Sequence, residues 1–357
     1  MTEVRAAESA GGGPAGRGTA SGEPGSQAAQ AGPVSPWRSA TGWATEHYSI
    51  FILALMIVVG AFTSSAFLGA RNLQNLGLQT SIYGFVTLAE FMVVLTNGID
   101  ISVGSVVGLS GALSAGLFAG SNVYLALLIG IAVGAVVGIV NGYLVAFRGL
   151  ESFIVTLGML SLARGLVYVY TQGVPRTPTA PDFGNVADTY ILGIPVEFLI
   201  WVVLIVVVSF VTQRTVFGRR IYAVGSNLDA ARASGVPVRS TLFLVYIIAG
   251  ALSGLGGFLL AAQIGVGTPT AGNLYELTAI AGVVIGGTRL AGGKGNVFNT
   301  VVGTLIFGVI NDLLVLLNVS TYETEAVSGG LIIVVIFLMS LHMPSWRNRL
   351  ARRKEAE

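Results

Sequence analysis

The chain has 357 residues, 53% of them hydrophobic and only 10% charged, with a net charge of +2 and a mean hydropathy of +0.78. A soluble domain carries roughly 25% charged residues, so this composition excludes a globular soluble enzyme and specifies a chain that crosses a membrane many times. The absence of cysteine excludes disulfides, thiolate metal sites and a cysteine nucleophile; two histidines, His47 and His342, are too few for a histidine metal cluster.

Residues 1–36 are Ala, Gly, Ser and Pro with scattered charges and almost no large apolar side chains. They cannot bury a core and are expected to be disordered. The first apolar run starts only near Ser49, too late for a signal peptide. Trp37 and Trp43 precede it, as interfacial anchors do. Residues 1–48 therefore read as a tail and interfacial lead-in, 49–342 as a transmembrane domain, and 343–357 as a basic tail.

Ten apolar spans follow, at 49–68, 76–96, 102–119, 122–146, 153–172, 192–212, 241–262, 274–288, 297–317 and 326–342. Each is close to the roughly 20 residues that cross the hydrocarbon core as a helix, and helices are required because lipid leaves no partner for free backbone groups. The fold class is an all-α membrane protein. The 49 glycines suit close helix packing in lipid.

Charge orients the spans. With the N terminus inside, sixteen of the 19 Lys and Arg residues lie in inner segments. They are those of the two tails, Arg148, five in 213–240, Arg289 and Lys294. Arg71 and Arg176 lie outside, and Arg164 lies within a span. Basic residues are retained on the cytoplasmic side during insertion, so both termini are expected inside. The outer connections include 173–191 and the acidic stretch Tyr322–Glu325.

The most charged interruption is 213–240, with Arg214, Arg219, Arg220, Arg232 and Arg239 against Asp229 alone. Its middle, Asn227–Ser234, suits a short surface helix stopped by Gly235–Val236–Pro237. Such a helix can dock a soluble partner; a solvated basic connector is the other reading.

Two polar breaks stand out. LTNGIDISVGS, 95–105, sets Asn97 and Asp100 between apolar spans. Asp100 can cap the helix that follows, or the break can line a polar pathway. GGTRLAGGKGN, 286–296, nearly imitates a phosphate-binding loop, but Lys294 is followed by glycine instead of Ser or Thr. It reads as a flexible inner loop, and the chain shows no nucleotide site of its own. Glu90, Asp312 and Arg164 are ionisable groups inside spans, which are costly there and often functional. Asn141, Thr156, Gln172, Gln263 and Asn311 add neutral hydrogen-bonding groups. The eight candidates for a translocation pathway are Glu90, Asn97, Asp100, Asn141, Thr156, Gln263, Asn311 and Asp312. Against this stands plain interhelical hydrogen bonding, with Glu90 or Asp312 paired to Arg164. No catalytic constellation and no metal-ligand spacing is present.

Residues 134–158 resemble 303–329 in glycine spacing and in the position of Asn141 and Asn311. These spans are fourth and ninth, run oppositely, and have the form of an inverted repeat of five plus five; chance similarity between glycine-rich helices is the other reading.

LTNGIDISVGSVVGLSGAL (95–113), FIVTLGMLSLARGL (153–166), FGRRIYAVGSNLDAARASGV (217–236) and IGGTRLAGGKGNVFNTVVGTLIFGVIND (285–312) occur in order. Together they resemble the permease subunits of ribose-type ABC sugar importers over about 50–342. Asn97 and Asn299 stand where that family often has glycine, and VSTYETEAVSGG (319–330) departs from its usual last outer loop. The resemblance implies a ten-helix permease of the vitamin-B12-permease-like kind in a bacterial inner membrane, working by alternating access. It implies a second permease copy, a cytoplasmic ATPase carrying ATP and magnesium, and an extracytoplasmic sugar-binding protein, with no cofactor on this chain and no nucleic acid. Asp229, Ala230, Ala231 and Gly235 match the family's coupling pattern with Asp in place of Glu; Arg220, Asn227 and Pro237 complete the expected ATPase-coupling set. Solutes of the family include ribose, xylose, galactose, arabinose, inositol and the autoinducer-2 signal. The rival from another class is an ion-coupled secondary transporter using Glu90 and Asp312.

Overall fold

A computed structural model describes residues 48–116, 122–178, 180 and 182–342. The 1–47 tail with Trp37, Trp43 and His47, and the basic tail 343–357, lie outside the described residues. The helices are α1 (Tyr48–Thr63), α2 (Ala70–Leu95), α3 (Val103–Gly116), α4 (Val123–Ala146), α5 (Ser152–Thr171) and α6 (Val196–Arg214). After them come α7 (Val216–Ser226), α8 (Leu228–Ala233), α9 (Val238–Ile264), α10 (Tyr275–Ile285), α11 (Val297–Leu316) and α12 (Thr321–His342). Between α5 and α6 lie a short 3-10 turn and the strands β1 (Tyr190–Ile191) and β2 (Ile194–Pro195). These strands form a hairpin whose turn residues, Leu192 and Gly193, both take positive φ, the geometry that matches strand twist.

Among the described residues, six helices, α2, α4, α5, α6, α9 and α11, are long and apolar enough to cross a membrane. Every apolar run read from the sequence corresponds to a helix, but not every helix has the expected length. α1 has 16 residues, α3 14 and α10 11. At about 1.5 Å per residue, α3 and α10 extend only ~21 and ~17 Å, well short of the ~30 Å hydrocarbon core. Polar and glycine residues in 96–102 and 265–274 leave irregular backbone before each of them, which is tolerable at membrane depth only where protein encloses it.

The acidic stretch 322–325 is a second correction, because it is the first turn of α12, not a loop. Ser320 and Glu323 form a reciprocal capping box, with the Ser320 N–H and Oγ donating to Glu323 Oε2 at 2.9 and 2.7 Å and the Glu323 N–H donating to Ser320 Oγ at 3.3 Å.

α2 and α9 form the centre. In α2, 89% of the most apolar stretch is buried, against 22% in α6, so α2 is surrounded by protein while α6 presents its apolar faces outward. α4 lies on α9 through glycines: a methyl on Gly134 or Gly250 would overlap the other's carbonyl oxygen. Small residues at such contacts let backbones approach where lipid gives no hydrophobic drive.

The packing has an internal correspondence. α4 packs on α9 as α11 packs on α2, α3 on α9 as α10 on α2, and α3 on α4 and α5 as α10 on α11 and α12. Exchanging α1–α5 with α6 and α9–α12 maps these pairs onto one another. α1 and α6 depart from it, α1 lying on α11 and α6 on α2.

The connections fall into two groups. At one end the Ile99 N–H donates to Ser152 Oγ (3.2 Å), Gly293 N–H to the Leu95 carbonyl (3.0 Å) and Tyr222 OH to the Gly295 carbonyl (2.9 Å). At the other, Arg176 and Gly267 exchange backbone bonds of 2.9 and 2.8 Å, and Gln74 Nε2 donates to the Gly193 carbonyl at 2.9 Å.

Candidate functional site

The irregular segment 97–102 between α2 and α3 gathers five of the eight candidate pathway residues. Its amides need partners, and side chains from neighbouring helices supply them. Asp100 N–H donates to both Glu90 carboxylate oxygens at 3.3 Å, from the last turns of α2. Ile101 N–H donates to Thr156 Oγ1 of α5 at 3.3 Å. Asp100 Oδ1 accepts from the Ser102 N–H at 2.9 Å and the Ser102 hydroxyl at 2.5 Å, so it caps the approach to α3. Asn141 Nδ2 of α4 donates to Ser102 Oγ at 3.0 Å. Glu90, Asn141 and Thr156 are fully buried and Asp100 is 3% exposed. Each of these side chains therefore holds the break in place.

Asn97, the fifth, begins the segment, and the other three lie elsewhere. Asn97 takes a left-handed conformation, φ 65°, and is exposed where the break leaves α2. Asp312 of α11 accepts from Asn72 Nδ2 of α2 at 2.7 Å, Asn311 donates back to the Phe307 carbonyl at 3.1 Å, and Gln263 is half-buried near the end of α9. The pairing of Arg164 with Glu90 or Asp312 is not formed. Arg164 Nη1 instead donates to the Pro269 and Ala271 carbonyls, 2.8 Å each, fixing the connection that precedes α10. These bonds are worth about 0.6 kcal/mol each on average in a membrane bundle. Sequence reasoning leaves Ser102 of the polar break out of the pathway set and passes over Ser152 and Asn72, whose partners, Ile99 and Asp312, lie on distant segments; a hydroxyl or an amide carries no local sign of such a partner.

The second locus is the charged connection between α6 and α9. It holds two helices, where one was expected. Thr215 Oγ1 accepts from the Gly218 N–H at 3.1 Å and starts α7, which carries the exposed Arg219 and Arg220. Asn227 Oδ1 accepts from the Ala230 N–H at 2.9 Å and starts α8. Gly235, at φ +78°, closes α8 in the left-handed conformation, its N–H bonded to the Arg232 carbonyl at 3.1 Å, and Pro237 immediately precedes α9. Ala231 is 5% exposed and packs with Ala146, Val224, Val238 and Leu242. Asp229, Ala230 and Arg232 face outward, Asp229 and Arg232 joined by a 3.4 Å ion pair. Burial raises the Tyr222 hydroxyl of α7 above its ordinary pKa, which keeps it a donor. A cleft of about 610 Å³ opens between α8, the 147–152 connection and the break, lined among others by Asn97, Arg148, Ser152, Asn227, Arg232 and Tyr246. The four residues of the coupling pattern thus form one object: a short capped helix, seated by one alanine, with its polar side outward.

A family profile described as branched-chain amino acid transport system / permease component matches residues 72–336. The chain belongs to this permease family. It is 40% identical to the ribose import permease protein RbsC of Bacillus subtilis, over 80% of this chain and 90% of that protein. It is 37% identical to the D-allose transport system permease protein AlsC of Escherichia coli, over 87% and 95%. It is 30% identical to the E. coli xylose transport system permease protein XylH, over 81% and 90%. No solved structure matches the chain. As a member of a transport permease family it is a transport component, not an enzyme, and the span 72–336 runs from α2 into α12.

Proposed function

We propose that this chain is the permease subunit of an ATP-driven, binding-protein-dependent importer of a monosaccharide or similar polyol in a bacterial plasma (inner) membrane. The three relatives named above are permeases for ribose, D-allose and xylose, which supports the solute class. The observation that carries the coupling role is α8. Its cap at Asn227, its seat at Ala231 and its left-handed stop at Gly235 present Asp229, Ala230 and Arg232 as a rigid polar knob. Arg220 and Pro237 flank that knob. A separate ATPase subunit, holding ATP and magnesium, docks there. Closure of the ATPase dimer moves α7 and α8 and rocks the membrane helices between inward and outward access.

The wider arrangement belongs to the same reading: ten crossings, both termini inside, an inverted repeat of five plus five, and pairing with a second copy. It is supported by the correspondence between the two halves and by the collection of the basic connections at one end. A sugar-binding protein delivers solute at the other end. In the pathway set, Glu90, Asp100, Asn141 and Thr156 contribute by holding the break, and Asn97 faces the inner cleft.

The test is purification of the tagged chain in mild detergent from its host. An ATPase subunit is expected to co-purify, and Gly235→Leu is expected to lose it while the chain stays folded. The variant places a branched side chain at positive φ, at a cost of about 1–2 kcal/mol. Recovery of the chain alone, with uptake into ATP-free liposomes under an ion gradient, would sink the proposal and establish a secondary transporter.

A further inference from the structure

Neither the docking knob proposed above nor the buried polar cluster uses the glycine-rich loop 286–296 between α10 and α11, yet its path is tightly specified. Arg289 N–H donates to the Lys294 carbonyl at 2.9 Å and pinches the loop closed. Gly293 N–H donates to the carbonyl of Leu95, the last residue of α2, at 3.0 Å. Tyr222 OH of α7 donates to the Gly295 carbonyl at 2.9 Å. Gly225, in the last turn of α7, lies so close to α2 that a methyl group there would overlap the Leu95 carbonyl oxygen. Three segments distant in sequence thus meet, through bare backbone at Gly225, Leu95 and Gly293 and through the Tyr222 hydroxyl: α7, the end of α2 and the 286–296 loop.

A contact made of backbone has no rotamer through which to absorb a displacement, and packed interiors transmit strain. Immediately beyond Leu95 the chain enters the 97–102 break, whose amides are held by Glu90, Ser152 and Thr156. Movement of α7 therefore acts on the end of α2 and on the approach to α3. The geometry points to the Gly225–Leu95–Gly293 contact as the joint that passes motion of the coupling helices to the membrane helices, with Tyr222, Gly225 and Gly293 as positioning residues for transport. This rests on the reading of the chain as an ATP-driven permease.

The experiment uses the complete importer, permease with its ATPase and binding protein, in liposomes. Gly225→Ala and Tyr222→Phe are compared with wild type for subunit stoichiometry, basal ATP hydrolysis and solute moved per ATP. Both variants are expected to retain the ATPase subunit and basal hydrolysis. Solute per ATP is expected to fall about threefold for Tyr222→Phe, on the scale of one lost hydrogen bond, and further for Gly225→Ala. Tyr222→Phe removes only a hydroxyl, so it decides the matter if Gly225→Ala does not fold. Wild-type solute per ATP in Tyr222→Phe overturns the joint. Loss of the ATPase subunit from the variants also overturns it, because these residues would then belong to docking. A wild-type chain without any ATPase partner defeats the permease reading itself, and is seen in the control before the variants are compared.

Discussion

Glu90 is a carboxylate at the heart of a membrane bundle, where an ionisable group normally signals function. Its geometry gives it a definite local role, since both oxygens accept the Asp100 N–H, at 3.3 Å each, in a site closed to solvent. An acceptor is needed there, and an amide oxygen provides one. Glu90→Gln is therefore expected to unfold near the wild-type temperature and to keep ATP-driven uptake. Glu90→Leu leaves a buried N–H without a partner and is expected to lose about 1–3 kcal/mol of stability, read by thermal unfolding in detergent. If Glu90→Gln abolished transport in a chain of unchanged stability, the carboxylate would have a role that hydrogen bonding does not describe. The sequence identifies Glu90, Asp100, Asn141 and Thr156 as polar residues out of place in lipid. It does not disclose that Asp100 faces Glu90 from the other side of a non-helical turn, because that proximity depends on where α2 stops.

At the scale of elements, α8 has only six residues and cannot be stable alone, since isolated helices of that length do not persist in water. It depends on its cap, its closing glycine and the seat of Ala231. Asn227→Ala removes the acceptor for the Ala230 N–H and is expected to weaken the helix by about 1 kcal/mol. The measurable result is faster amide exchange across 228–234 and weaker retention of the ATPase subunit, with the rest of the chain unchanged. Exchange equal to wild type would mean that tertiary packing alone holds α8. This helix is legible in the sequence because all its signals are local. Asn stands before the apolar positions, Asp229 lies in the first turn, and Gly and Pro lie beyond the end. The shortness of α3 and α10 is not legible from hydropathy, because an apolar window scores alike for a full crossing and for a half crossing completed by irregular backbone. α7 escapes a reading of the sequence because Gly225, one of its four buried residues, finds its close partners, Leu95 and Gly293, on elements distant in sequence. The first turn of α12 reads as a loop from its charge, although Ser320 and Glu323 carry the capping-box spacing.

At the scale of the whole molecule, insertion chemistry and packing bear independently on orientation. From the Lys and Arg distribution, 147–152, 213–240 and 286–296 are expected on the cytoplasmic side. The folded chain brings these connections to one end through the Ile99–Ser152, Leu95–Gly293 and Tyr222–Gly295 bonds, with no reference to charge. The Arg176–Gly267 pairing joins the connections expected on the other side. A sequence without cysteine lets each single-cysteine variant report one position. Asp188→Cys, on the exposed connection before α6, is expected to react with a membrane-impermeant maleimide in cells whose outer barrier has been opened. Ser234→Cys, exposed after α8, is expected to react only once the plasma membrane is broken. The opposite pattern would invert the molecule and remove α8 from the compartment that holds ATP, so it would defeat the coupling role as well as the topology. Labelling of both positions from outside would require an even number of crossings between them, where α6 is the single helix long and apolar enough to make one. That would contradict the burial of α2 and α9 at the centre of one bundle, because α6, packed along α2, would no longer cross with it.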